Sequence, residues 1–395
     1  MEVKDGYKRS QLGLIPDHWK VVPLKGMIEI SHGFAFSSQY FTNSGQYRLT
    51  TPGHFYEAGG FRDIGDKQKY YDGPVPDNYI LKGGDVIVAM TEQADGLLGS
   101  AAVIPDDHSY LHNQRLGRLR ALCDGIDLSY LFFVFNSPSY RSSVRTTAVG
   151  TKVKHTSPEK LLEVLVRLPP LPEQKAIANA LRDVDALIAS LDALIAKKRD
   201  LKQAAMQQLL TGKARLQGFS GEWETKRLGE LSQLYQPKTI GQSVFTTDGY
   251  PVYGANGIIG RYSKYNHMTR QITISCRGNC GTVNKTEQLA WITGNAMVVN
   301  FDANKSIDSD FAYQLLLFQD FSVLVTGSGQ PQIVRGPLSE FLITLPRDIN
   351  EQKAIAEVLS DMDAGLTELE QRRDKTIALK QGMMQELLTG RTRLV

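Results

Sequence analysis

The chain has 395 residues, 42% of them hydrophobic, and a net charge of +3. That length exceeds one ordinary core and predicts two domains; the charge is far from that of a histone-like protein and permits a nucleic-acid partner without requiring one. Three cysteines, Cys123, Cys276 and Cys280, exclude a disulfide scaffold, no apolar run nears the roughly 20 residues of a membrane helix, and the first residues hold no signal-peptide core, so a soluble cytoplasmic protein is expected.

Along the chain, Ile80–Met90 (ILKGGDVIVAM) is β-like, rich in Ile and Val and bounded by Gly. SYLFFVFNS, from Ser129, reads as a short buried helix. A Gly-containing loop, a Pro-led turn and a strand ending in Leu-Pro follow, in AVGTKVKHTSPEKLLEVLVRLP. The next segment, LPPLPEQKAIANAL, opens a long amphipathic helix. Its early acid suits the helix dipole, and Gly212 after Leu-Leu-Thr is a stop signal. From Glu173 to Leu210 it would run ~57 Å at about 1.5 Å per residue. Beyond it, Arg270–Gly278 (RQITISCRG) is β-like, YGANGIIG marks tight turns and DFAYQLLLFQ a short helix. TGSGQPQIVRGPLSEFLITLP closes this second stretch as the first was closed. A second long helix then opens in LPRDINEQKAIAEVL and stops at Gly390.

The two long helices are copies. Glu173 recurs as Glu351 and Leu209 as Leu387, a constant offset of 178 (351 − 173), with about half the positions identical. A weaker echo precedes each domain: IPDHWKVVPL resembles SGEWETKRL, and Trp19 and Leu24 recur as Trp223 and Leu228. The stretches between, 26–165 and 230–341, share little by eye.

Both helices carry a heptad seam: Ile177, Leu181, Val184, Ile188, Leu191 and Ile195 in the first, Ile355, Leu359, Met362, Leu366 and Leu369 in the second. Such a stripe needs a partner, and the nearest is the other copy. The expected architecture is two α/β (α+β) domains, separated by a pair of long antiparallel coiled-coil helices, in a pseudo-twofold internal repeat. The segments are 1–168 (first domain), 169–212 (first helix), 213–346 (second domain) and 347–395 (second helix). The seam weakens centrally. Lys198 stands where the copy has Thr376, and Ile195 where it has Arg373, either a register device or a surface for another subunit. Gly365 replaces Leu187 and weakens the second helix locally.

Catalytic motifs are scarce. Glu-Gln-Lys at Glu173/Lys175 and Glu351/Lys353 supplies the Glu-x-Lys half of a metal-nuclease site, but it opens a helix where Glu serves the dipole and Gln and Lys are solvated. No phosphate-binding loop and no Asn-Pro-Pro-Tyr-like methyltransferase motif occurs. Cys276 and Cys280 lack a second pair for zinc and read as strand-end thiols. His108 and His112, four apart, sit in a turn context. No metal or catalytic residue is assigned.

The domains carry long cations and amides beside Gly-rich loops. In the first these are Arg115, Arg118, Arg120, Arg141, Arg145, Lys152 and Lys154. In the second they are Arg261, Lys264, Arg270, Arg277, Gln330, Gln332 and Arg335. Cations neutralise phosphates, and Arg, Asn and Gln read base edges bidentately. The plain alternative for each is a solvated surface charge.

The whole plan resembles the specificity subunit of a type I restriction-modification system. The resemblance rests on the duplicated LPxLPEQKAIAxxLxxxDxxI…LLTGKxRL order, the IPDHW and SGEWE openings, and the LKGGDVIVAM and YGANGIIGRYSKY stretches, and covers nearly the entire chain. It implies a non-catalytic chain, without cofactor of its own, in which each domain is a target recognition domain for one half of a bipartite asymmetric target in double-stranded DNA. The helices would set the spacer and dock two methylation subunits. S-adenosylmethionine, ATP and Mg would sit on the methylation and motor-nuclease restriction subunits. The competing readings are a protein-binding scaffold on the same helical spacer and a lone modification enzyme.

Overall fold

The computed structural model describes residues 5–92, 96–105, 109–150, 153–327 and 329–394. The chain divides into two compact units, residues 1–190 with 373–395 and residues 191–372, so the boundary falls inside both long helices. The helices span Leu171–Leu209 and Ile349–Leu387, 39 residues each.

In the first unit a four-stranded antiparallel sheet is ordered Ala101–Val103, Val86–Ala89, Leu116–Ala121, Ile28–His32. Val86–Ala89 is buried at every position because the sheet is covered on both sides. Side chains alternate between faces: Val86 and Val88 enter one core cluster, Ile87 and Ala89 another. The first cluster gathers Trp19, the helix Leu128–Phe135, the start of the first long helix (Ile177, Leu181) and the end of the second (Leu387, Leu388). The second lies toward a smaller sheet in which Tyr110–Leu111 runs parallel to Tyr47–Leu49. A ladder of Lys20–Pro23 with Leu165–Leu168 closes the domain.

The second unit repeats this topology. Its sheet is ordered Val283–Lys285, Ile272–Ser275, Ala296–Asn300, Gln233–Tyr235, again antiparallel. Ile272, Ile274, Met297 and Val299 face a core shared with the helix Ser309–Phe318, Leu209 and Ile355; Ala296 and Val298 face the other way. A small sheet again holds a parallel pair, Tyr250–Gly254 with Trp291–Ile292. Trp223–Arg227 pairs with Leu342–Pro346 as the closing ladder. The stretches that share little sequence thus share strand order and crossovers. The β-like and short helical segments read from the sequence are Val86–Ala89, Ile272–Ser275, Leu128–Phe135 and Ser309–Phe318.

Within each unit the long helices run antiparallel. In the first, Glu173 meets Arg393 and Asp185 meets Lys380. In the second, Arg199 meets Glu370 and Lys202 meets Asp363. Lys202–Asp363 and Lys380–Asp185 are the same pair under the 178-residue offset, both 2.5 Å. Ile177, Leu181, Leu191, Ile195, Ile355 and Leu359 are buried; Val184, Ile188, Met362, Leu366 and Leu369 are half-buried. Thr376 is buried but Lys198 is exposed, so the central polar positions are not equivalent. Gly365 is exposed, with open space where a side chain would stand, so it loosens no packing. Gly212 and Gly390 take left-handed φ values of 70° and 73°, as helix stops require.

Candidate nucleic-acid interface

The Glu-Gln that opens each long helix fixes the domain to the helix pair. Gln174 and Gln352 are 1% and 0% exposed, which corrects the expectation that they are solvated. Gln174 accepts from Asp127 N–H at 2.9 Å and donates to the carbonyls of Gly125 and Pro169. Gln352 accepts from Asp308 N–H at 2.8 Å and donates to the carbonyls of Ser306 and Pro346. Asp127 and Asp308 cap the buried helices Leu128–Phe135 and Ser309–Phe318. The neighbouring glutamates are also buried. Glu173 accepts from Trp19 Nε1 at 2.9 Å and from both arms of Arg393. Glu351 accepts from Arg215, with Nη2 to Oε2 at 2.6 Å. Two carboxylates buried this well act as structural anchors, so Glu-Gln-Lys is no half of a nuclease site.

Two loops meet at the far end of the main sheet in each unit. In the second unit the turn after Ile272–Ser275 lies beside residues 325–327 and 329–332. Arg277 bridges Gln332, which also bridges Thr326. Cys280 Sγ ties the loops, donating to the carbonyls of Cys276 and Pro331 at 3.4 and 3.3 Å. Arg277, Asn279, Gln330 and Gln332 are exposed there, and their side chains make no hydrogen bond among the described residues. A guanidinium and three amides free to point outward are the groups that read guanine and adenine edges. Asn279 was not picked from the sequence; its signal is the Gly278-Asn279 turn at the strand end.

The first unit has the same layout. Thr91–Glu92 pairs with Lys154–His155, and Val149 bridges His155. His155 and Thr91 stand where Gln332 and Arg277 stand, and His155 Nδ1 is 3.2 Å from Thr91 Oγ1. Arg145 lies against Gly96, Lys154 Nζ is 3.8 Å from Glu92, and the Arg115 carbonyl accepts from Met90 N–H. Arg115, Arg145 and Lys154 therefore lie about Met90, Gly96 and Glu92 respectively. Arg141, expected at the surface, is instead buried with its guanidinium on backbone carbonyls. Burial pulls it down to about 10, and the nearby Arg145 charge adds to this, yet it stays a cation at neutral pH.

The other sequence candidates lie elsewhere. Arg118 is 3.9 Å from Asp85, and Arg120 holds Glu29 through two hydrogen bonds, leading away down the strand. Lys152 lies outside the described residues. Arg261 donates to Gly249 O at 2.8 Å. Lys264 and Arg270 are exposed, and Arg270 sits at the opposite end of the strand Ile272–Ser275 from Arg277. Arg335 is exposed at the start of the helix Arg335–Ser339. His112 is buried, its Nε2 3.0 Å from Leu116 O, and burial pushes the imidazole down to about 4; His108 lies outside the described residues. Burial raises the Cys276 thiol. Among the described residues no cluster of three His, Cys, Asp or Glu could hold a metal ion, and no helix is long and apolar enough to cross a membrane.

The family profile described as "Type I restriction modification DNA specificity domain" matches residues 16–197 and again 220–379. The type I restriction enzyme MjaVIII specificity subunit of Methanocaldococcus jannaschii is 28% identical over 54% of this chain, an alignment spanning 50% of that relative's length. The putative MjaX specificity subunit of the same organism is 24% identical over 99% of this chain and 97% of its own. The crystal structure of the S subunit of a type I restriction-modification system from M. genitalium superposes with a TM-score of 0.66 over 98% of both chains, at 16% identity, a likeness of fold. Two family matches, one on each half of an internally repeated chain, account for the duplicated architecture: the protein belongs to the type I restriction-modification DNA specificity family.

Proposed function

We propose that this chain is the non-catalytic sequence-reading subunit of a type I restriction-modification enzyme. Each unit reads one half of a bipartite, asymmetric target in double-stranded DNA through its two-loop end. The long helices set the number of unread base pairs between the halves and dock two methylation subunits. Those subunits bring S-adenosylmethionine, and motor-nuclease subunits bring ATP and Mg. The observation that supports this most is one topology built twice with different loop ends: Thr91, Lys154 and His155 in one, Arg277, Asn279, Gln330 and Gln332 in the other. The same frame with different donors and acceptors suits two different half-sequences.

Exchange of residues 26–165 for the matching stretch of another family member tests this. With the methylation partner present, methylation should move to a target altered in one half only. A change in both halves, or in neither, contradicts the modular reading. Binding of the assembled complex to duplex DNA should also weaken steeply with salt, as a scaffold for proteins alone would not.

A further inference from the structure

The turn Gly96–Leu98 in the first unit is gripped from both sides. Glu92, 2% exposed, accepts three successive backbone N–H groups on Oε2: Gly96 at 3.2 Å, Leu97 at 2.8 Å and Leu98 at 2.7 Å. Arg141, 7% exposed, donates to the carbonyls of Leu98 at 2.8 Å, of Glu57 at 3.3 Å and of Gly96. Gly96 has φ +115°, a conformation open to glycine but rarely adopted by L side chains, so the turn needs glycine at this position. Glu92 also belongs to the strand that carries Lys154 and His155 by pairing. The second unit has no such charged grip on the described residues of its turn; the Cys280 thiol bridges its loops instead.

Resting on the DNA-reading function above, we propose that Glu92 and Arg141 are positioning residues for the first half-site: they clamp the turn Gly96–Leu98 and fix where Thr91, Lys154 and His155 meet the DNA, and Arg141 itself touches no phosphate. A carboxylate on the N–H groups and a guanidinium on the carbonyls of one turn leave it a single shape. Readout at base edges depends on donor placement, so loosening that turn widens what is accepted.

The test maps methylated adenines in cells expressing the methylation partner with wild-type chain, Arg141→Met, Arg141→Lys or Glu92→Gln. It also measures the salt slope of DNA binding by each assembled complex. The expected result for Arg141→Met and Glu92→Gln is acceptance of more than one base at a position of the first half-site and at least tenfold less methylation of the original target. The second half-site and the salt slope stay unchanged, and Arg141→Lys falls between. An unchanged first half-site overturns the clamp. So does a salt slope reduced by about one with both half-sites intact, the mark of a phosphate contact. Loss of both half-sites in both variants overturns it too, since the pair would then be part of the core. A wild-type chain that marks no bipartite site defeats the DNA-reading function itself, not the clamp.

Discussion

At the scale of single residues, the repeated Glu-Gln carries more than a helix start. Glu173 is 1% exposed and bonded by Trp19 and Arg393, residues from the two ends of the sequence. Breaking a buried ion pair from one side costs about 3–5 kcal/mol. Arg393 keeps some contact with water, so Arg393→Ala should lower the stability of the first unit by only ~2–3 kcal/mol, read as a lower thermal midpoint. An unshifted midpoint would remove the anchor. His112 gives a pH signature. Its folded imidazole is depressed to about 4 from an ordinary 6.5 because burial disfavours its charged form. The neutral ring's contribution is fully present above pH 6.5 and is lost as pH falls toward 4. Acid unfolding of the first unit should therefore steepen between those values, by on the order of 3 kcal/mol in total. His112→Asn, which keeps a donor, should flatten that slope; an identical pH profile would contradict the assignment. In the second unit Arg277→Ala should cost ~1–3 kcal/mol in target affinity and relax one position of one half-site. Uniform weakening on all sequences would mark Arg277 as a phosphate contact instead.

The elements divide into those written locally and those that are not. The long helices were legible because their signals are local and duplicated: the heptad at Ile177 to Ile195, the acid at the start, the Gly stop at 212 and 390. Gly390 also lets the chain pass against Pro16 and Trp19, and Gly212 against Trp223, where an added methyl would crowd them. The partner of Gln174 was not legible, since Asp127 lies 47 residues upstream and only the fold brings it near. The matching Ile-Asp at 126–127 and 307–308, each leading into a buried helix, is the signal in hindsight. A prediction belongs to the helices as a pair. Seven residues inserted after Ser190 and seven after Arg372 keep both seams in phase. They add ~10.5 Å per helix at about 1.5 Å per residue. At ~3.4 Å per base pair, the unread spacer should grow by about three, with both half-sites unchanged. An unaltered spacer would show that the helices do not set it.

Over the whole molecule, the repeat extends further than the sequence displays. Residues 26–165 and 230–341 share a four-strand order, a small sheet with a parallel pair and a capped buried helix. Strand pairing joins positions far apart, and alternation tolerates any apolar residue on the inner face. Val88 and Ile274, both buried on corresponding strands, illustrate how little identity this demands. The loop ends were harder still. Arg115, Arg145, Lys154, Arg277, Gln330 and Gln332 gather there, Arg118, Arg120 and Arg270 do not, and Arg141 turned out to be buried. Nothing in composition separates a cation on an outward-facing loop from one folded onto its own backbone.

The most direct measurement is a genome-wide map of methylated adenines in cells expressing this chain with its methylation subunit. The account predicts one asymmetric target with two defined blocks, a fixed count of unread base pairs between them, and one methylated adenine in each block. A single continuous target, a spacer of variable length, or no methylation dependent on this chain would contradict it.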